Sequence, residues 1–205
     1  MGANCGSRPI QELIMNKITQ RSFILALAVG VLALAVSPVH AAKVKTEDEL
    51  IADLSSPQEK VVFSALQQLE KQYPTSTKAF PEMKKLLTDP RVKIRCKSAR
   101  VLGALHAEVD ATDLKNICAM FKANERNEVT EALKALRGLK AESTVPEILP
   151  LLQNSNPFIV RDACRTLAVL GNQSTIPAIE PLLKSPDAKI QKDAQDAIFA
   201  LKAKP

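Results

Sequence analysis

Two interleaved ladders of apolar residues advance along this chain by a nearly constant step, and that periodicity limits the fold more than any other feature. In the first, an apolar-x-x-apolar pair recurs at Leu66/Leu69, Leu102/Leu105, Leu136/Leu139, Leu167/Leu170 and Ile198/Leu201, so the steps are 36, 34, 31 and 31. Four residues before each pair stands Val62, Ser98, Ala132, Ala163 or Ala194, mostly small. In the second, Leu54, Leu87, Phe121, Leu152 and Leu183 follow one another at steps of 33, 34, 31 and 31. Leu50, Met83, Ile117, Ile148 and Ile179 precede them by four. Offsets of three and four put such residues on one stripe of an α-helix. Each repeat therefore reads as two helices, a short one and a long one.

The ladders and the punctuation between them predict ten helices: α1 46–54, α2 57–72, α3 79–88, α4 91–106, α5 111–122, α6 126–140, α7 145–153, α8 157–170, α9 176–184 and α10 187–202. Cap chemistry agrees. Ser56-Pro57, Asp89-Pro90, Asn156-Pro157 and Ser185-Pro186 each offer a side-chain acceptor at the N-cap and a proline at the first helical position, where a missing N–H costs nothing. Thr46/Glu49, Ser56/Glu59 and Thr144/Glu147 have the spacing of capping boxes. Pro150 and Pro181 fall inside α7 and α9 at the same repeat position and are expected to kink both. Composition points the same way: 27 Ala and 25 Leu against 6 Gly, 1 Tyr and no Trp favour helices over sheet.

Residues 156–171 (NPFIVRDACRTLAVLG), followed by 174–183 (STIPAIEPLL), resemble a HEAT repeat, specifically the short type of roughly 31 residues shared with phycobilin-lyase subunits. Residues 89–95 (DPRVKIR) and the Leu102-Gly103-Ala104-Leu105 run fit the same pattern. The resemblance covers about 46–205, more strongly from 88 onward. Arg95 and Arg161 match the family's arginine early in the long helix, whereas Lys60, Arg126 and Lys189 only approximate it. It implies an all-α, right-handed α-solenoid of about four two-helix HEAT-like repeats with terminal half-repeats α1 and α10. Each pair would bury its stripe only against its neighbours. It also implies that the short, odd-numbered helices line the concave face.

The first forty residues read as an address. Within 15–41, Lys17 and Arg21 precede an unbroken apolar or small run at 23–36, then Ser37-Pro38 and a Val39-His40-Ala41 cleavage pattern. That is the layout of a bacterial secretory signal peptide, with an uncleaved anchor as the alternative, and the run is short for a membrane span. Residues 1–14 read as an upstream extension, because Met15 begins a conventional signal by itself, and Cys5 lies too early to be a lipidated cleavage-site cysteine. The expected domain is then 42–205, periplasmic or secreted.

Sites are sparse. Past the signal His106 is the one remaining histidine, at the end of α4, and there is no phosphate loop, nucleophile elbow, H-E-x-x-H or C-x-x-C pair. No catalytic, cofactor or metal site is expected. Cys96, Cys118 and Cys164 are read as unpaired thiols, with a Cys96–Cys118 disulfide, an intermolecular bridge or a metal role as alternatives. Charge supplies the local signal: between Lys84 and Arg100 stand Lys84, Lys85, Arg91, Lys93, Arg95, Lys97 and Arg100 against one acid, Asp89. This is either an anion-recognising patch or a solvated face. Scarce aromatics and export disfavour nucleic acid. The expected function is an exported, non-enzymatic scaffold holding a protein partner, an acidic one, through Lys84, Lys85, Arg91, Lys93, Lys115 and Lys122. The alternatives are a binder of envelope polymer or anionic membrane surface through the same patch, and a lyase-like enzyme subunit.

Overall fold

A computed structural model of the chain describes residues 44–123 and 125–204. The signal expected at 15–41 and the stretch before it lie outside the described residues. From Lys45 onward the chain forms one compact unit built, among the described residues, from α-helices and 3-10 turns. The helices are α1 Glu47–Asp53, α2 Glu59–Gln72, α3 Phe80–Lys85, α4 Val92–Ala104, α5 Ala111–Ala119, α6 Arg126–Leu139, α7 Val145–Ile148, α8 Pro157–Leu170, α9 Ile176–Ile179 and α10 Ala188–Lys202. All ten expected helices are present in the expected order. Each even helix packs on the next even helix, and each odd helix packs against the even helix that follows it.

The second ladder is the core of the odd helices: Leu50, Met83, Ile117, Ile148 and Ile179 are fully buried. The first ladder is displaced at its first rung. The N-caps of the even helices are Gln58, Arg91, Glu125, Asn156 and Asp187, so the steps are 33, 34, 31 and 31. Counted from these caps, Ala65, Ser98, Ala132, Ala163 and Ala194 share one buried position, and Leu69, Leu102, Leu136, Leu167 and Ile198 share another. The expected Val62/Leu66 rung is one turn early. Val62 and Leu66 are also buried, and the apolar alternation within α2 therefore fits two registers. With that rung corrected, both ladders advance in identical steps, and the interval from an odd-helix rung to its even-helix rung is the same in every repeat. The longer repeats owe their extra residues to the even-to-odd connection alone.

The helix starts also differ from the expectation. Of the four proline-linked caps, only Asn156 acts as expected, accepting from the Phe158 N–H with Pro157 at the first helical position. Ser56, Asp89 and Ser185 each accept the N–H two residues on, from Gln58, Arg91 and Asp187, so their prolines lie in a turn before the helix. Asn154 makes the same turn before α8. The Thr46/Glu49 box forms, whereas Ser56 and Thr144 build none; Thr144 donates instead to the Ala141 carbonyl. Boxes that the spacing rule misses join Asp110 to Asp113 and Asn172 to Thr175.

Pro150 and Pro181 do not simply kink α7 and α9. The α-helix gives way to 3-10 turns at Leu149–Gln153 and Glu180–Lys184. Because α3 and α5, which lack that proline, also end in 3-10 turns, at Leu86–Thr88 and Met120–Lys122, the tightening belongs to the repeat. The prolines shorten the α part that precedes it. At their other ends α4 and α6 close through His106 and Lys140 in the left-handed region, φ 51 and 52 degrees. In both, the next N–H (Ala107 or Ala141) reaches back to the Leu102 or Leu136 carbonyl, a Schellman closure.

Candidate docking surfaces

The basic window is largely spent on the fold's own carboxylates. Lys84 pairs with Asp113 at 3.0 Å, tying α3 to α5, and Lys85 with Glu82 at 2.7 Å. Arg91 grips Asp89 through two nitrogens, at 2.8 and 2.7 Å, and points its third at the Ser56 and Pro57 carbonyls. Its guanidinium holds the Asp89 carboxyl below the usual carboxylate range. Lys93 lies 3.5 Å from Glu59. Arg95 meets Glu128 at 2.8 Å, Lys97 meets Glu70 at 2.7 Å, and Arg100 bridges Glu70 and Glu131. Of the six residues singled out as partner-binding, Lys85, Lys115 and Lys122 are exposed on the odd helices and the turns that end them. Lys115 and Lys122 carry no ion pair among the described residues. Arg91 is turned back into the fold, and Lys93 sits on α4 rather than on an odd helix.

Several of these pairs lace consecutive even helices. Arg95 to Glu128 and Arg100 to Glu131 join α4 to α6, Thr130 donates to Asp162 between α6 and α8, and Arg161 and Arg165 both donate to Asp193 between α8 and α10. Arg95 and Arg161, read as one family position, differ in register by one residue. Arg95 is the fourth residue of α4 and donates to the Asp89 and Pro90 carbonyls of its own entry turn. Arg161 is the fifth residue of α8; Val160 stands where Arg95 does.

A second surface escapes the sequence reading. On the even-helix side a groove of about 720 Å³ opens over α2, α4 and α6, lined among others by Phe63, Val92, Cys96, Glu125 and Glu131. Phe63 and Val92 are each 40% exposed. In the correct register Phe63 and Cys96 occupy the same position, the fifth, of successive even helices. The early rung puts Lys60 there instead and breaks up the apolar cluster, so the signal is present in the sequence but falls one helical turn away.

The thiols and the imidazole have quiet chemistry. Cys96, Cys118 and Cys164 are all free, so the Cys96–Cys118 bridge is not formed. Burial pushes the thiols of Cys96 and Cys118 up to about 11 and that of Cys164 up to about 12, which keeps them protonated at neutral pH. His106 donates from Nδ1 to the Gly138 carbonyl at 2.7 Å, linking the end of α4 to α6. Among the described residues no cluster of three His, Cys, Asp or Glu could hold a metal ion, and no helix is long and apolar enough to cross a membrane.

These features define an α-solenoid of the armadillo/HEAT kind. A family model for HEAT repeats matches residues 128–198, from the first turn of α6 into α10. Among solved structures, the complex of CpcE and CpcF of phycocyanin lyase from Nostoc sp. PCC7120 is similar, with a TM-score of 0.67 at 20% identity over 84% of this chain and 71% of that one. A designed armadillo repeat protein in complex with the peptide (KR)4 gives 0.60 at 16% identity, covering 75% of this chain and 80% of that one. An engineered protein gives 0.59 at 22% identity, covering 76% and 79%. Such identities establish the fold. No curated protein sequence matches the chain.

Proposed function

We propose that this chain is an exported, non-catalytic scaffold that docks an acidic protein partner on its odd-helix face. The observation that carries the reading is the pair of exposed lysines without carboxylate partners, Lys115 and Lys122, flanked by exposed Lys85 on the neighbouring odd helix. The cations of the basic window already face carboxylates, Lys85 among them in an exposed pair with Glu82 that costs little to exchange, so in this N-terminal half Lys115 and Lys122 are the charges a partner meets first. The fold supports the role, because stacked repeats present a long rigid surface with little entropy left to lose on binding. Export is supported by the signal pattern at 15–41. A lyase-like activity draws support from the likeness to a lyase complex, but the thiols of Cys96, Cys118 and Cys164 do not add to it, because burial holds them protonated.

Reversing Lys85, Lys115 and Lys122 to Glu together should abolish capture of the partner from an envelope extract while leaving the helical circular dichroism unchanged. Capture by the unaltered chain should fall steeply between low and high salt. Undiminished capture by the triple variant would refute the assignment.

A further inference from the structure

The groove on the even-helix side carries a separate inference. Its floor is one stripe of α4 made by Val92, Cys96 and Arg100, a span that rises about 12 Å. That is the length of roughly four residues of extended chain. The apolar part of the lining is Phe63 of α2 with Val92 and Cys96 of α4: Phe63 and Val92 are part-exposed and Cys96 is half-buried. One side of the Phe63 ring is taken by the Lys97 ammonium, 5.7 Å from its centroid, which Glu70 holds in place. The helices do not close over this groove, because α4 and α6 meet at their C-terminal ends, at Gly103 and Gly138, while the groove lies toward their N-termini.

Charge then selects the occupant. Lys97 and Arg100 are spent on Glu70 and Glu131, Lys134 on Glu131, and Glu128 on Arg95, while Lys93 at the rim lies 3.5 Å from Glu59, so each cation of the lining already faces a carboxylate. What remains is acidic: Glu125, exposed at the N-cap of α6, has no cation partner among the described residues. We propose that this groove binds a short extended peptide segment of a partner protein, with a bulky apolar side chain on Phe63, Val92 and Cys96 and a lysine or arginine near it against Glu125. The apolar contact supplies most of the affinity, and the charge sets the direction in which the segment lies.

A displayed library of random hexapeptides selected on the full chain tests this. Enriched peptides should pair an aromatic or leucine with a basic residue within three positions. Phe63→Ala should weaken a synthetic copy of the selected peptide at least tenfold with no change in the thermal melt, since Phe63 is part-exposed. Selection on Glu125→Lys should shift the enriched charge from basic to acidic. The bound peptide should also slow alkylation of Cys96 and not of Cys118. No enrichment, or binders indifferent to both substitutions, overturns the proposal. Glu substitutions at Lys85, Lys115 and Lys122 should leave peptide binding intact, which separates this groove from the odd-helix surface.

Discussion

The joint between α4 and α6 and the joint between α8 and α10 solve the same packing problem differently. Both carry an arginine–carboxylate pair, Arg95 with Glu128 in one and Arg161 with Asp193 in the other. The first brings backbone against backbone: a Cβ added at Gly138 would lie 2.3 Å from the Gly103 carbonyl oxygen, and one at Gly103 would lie 2.7 Å from the Ala135 Cα. The second has no glycine in either helix and adds a tie at the C-terminal end, where Lys204 donates to the Val169 and Gly171 carbonyls. The first joint thus adds a steric fit, which salt does not touch, to its ion pairs. The second adds further polar links instead, which respond to ions and to removal of a single partner.

The largest expected effect breaks the first joint. Gly138→Ala must push α6 off α4 by moving main chain, and overpacking of this kind costs about 3 kcal/mol. Urea unfolding should report it as a lower midpoint with an unchanged slope. A neutral Gly138→Ala would mean that the two backbones are not in contact. At the second joint, Asp193→Ala leaves Arg161 and Arg165 facing each other across a partly buried gap, at a cost of about 2 kcal/mol. A double-mutant cycle with Arg161→Ala should recover a coupling of roughly 1 kcal/mol that shrinks in high salt. Equal salt sensitivity of the Gly138 and Asp193 effects would erase the distinction.

How much of this is legible in the sequence follows from the same physics. The C-terminal repeats read closely, because α8 and α10 carry small and large apolar residues at one fixed interval and their stripes admit one register. In α2 the run Val62, Ala65, Leu66 and Leu69 buries four residues on a broader stripe, so two registers fit and the apolar pattern does not choose between them. The wrong one hides the groove, because it pairs Cys96 with Lys60 instead of Phe63. The basic window is visible as a count of charges, but a count has no partners in it. Glu70, Asp113 and Glu128, which neutralise much of it, stand about one repeat away in sequence from their lysines and arginines. The Gly103/Gly138 contact likewise joins residues whose meeting depends on how closely two helices approach, which periodicity does not encode.

The connections that follow the long helices extend the comparison at smaller energies. At the first joint, His106 and Lys140 hold left-handed backbone that glycine adopts without steric cost, whereas Gly171 at the end of α8 has φ −75 degrees and needs its missing side chain for room beside the Leu167 carbonyl and Thr175. Lys140→Gly should therefore raise stability by about 1 kcal/mol, since Lys140 is exposed and its conformation is the costly one. His106→Gly gains the same backbone relief but loses the Nδ1 bond to Gly138, so its net change should be close to zero. The gap between the two substitutions, read as the difference in urea midpoints at constant slope, measures what that imidazole contributes to the α4–α6 joint. If His106→Gly stabilises as much as Lys140→Gly, the bond adds nothing, and steric fit alone holds that end of the interface.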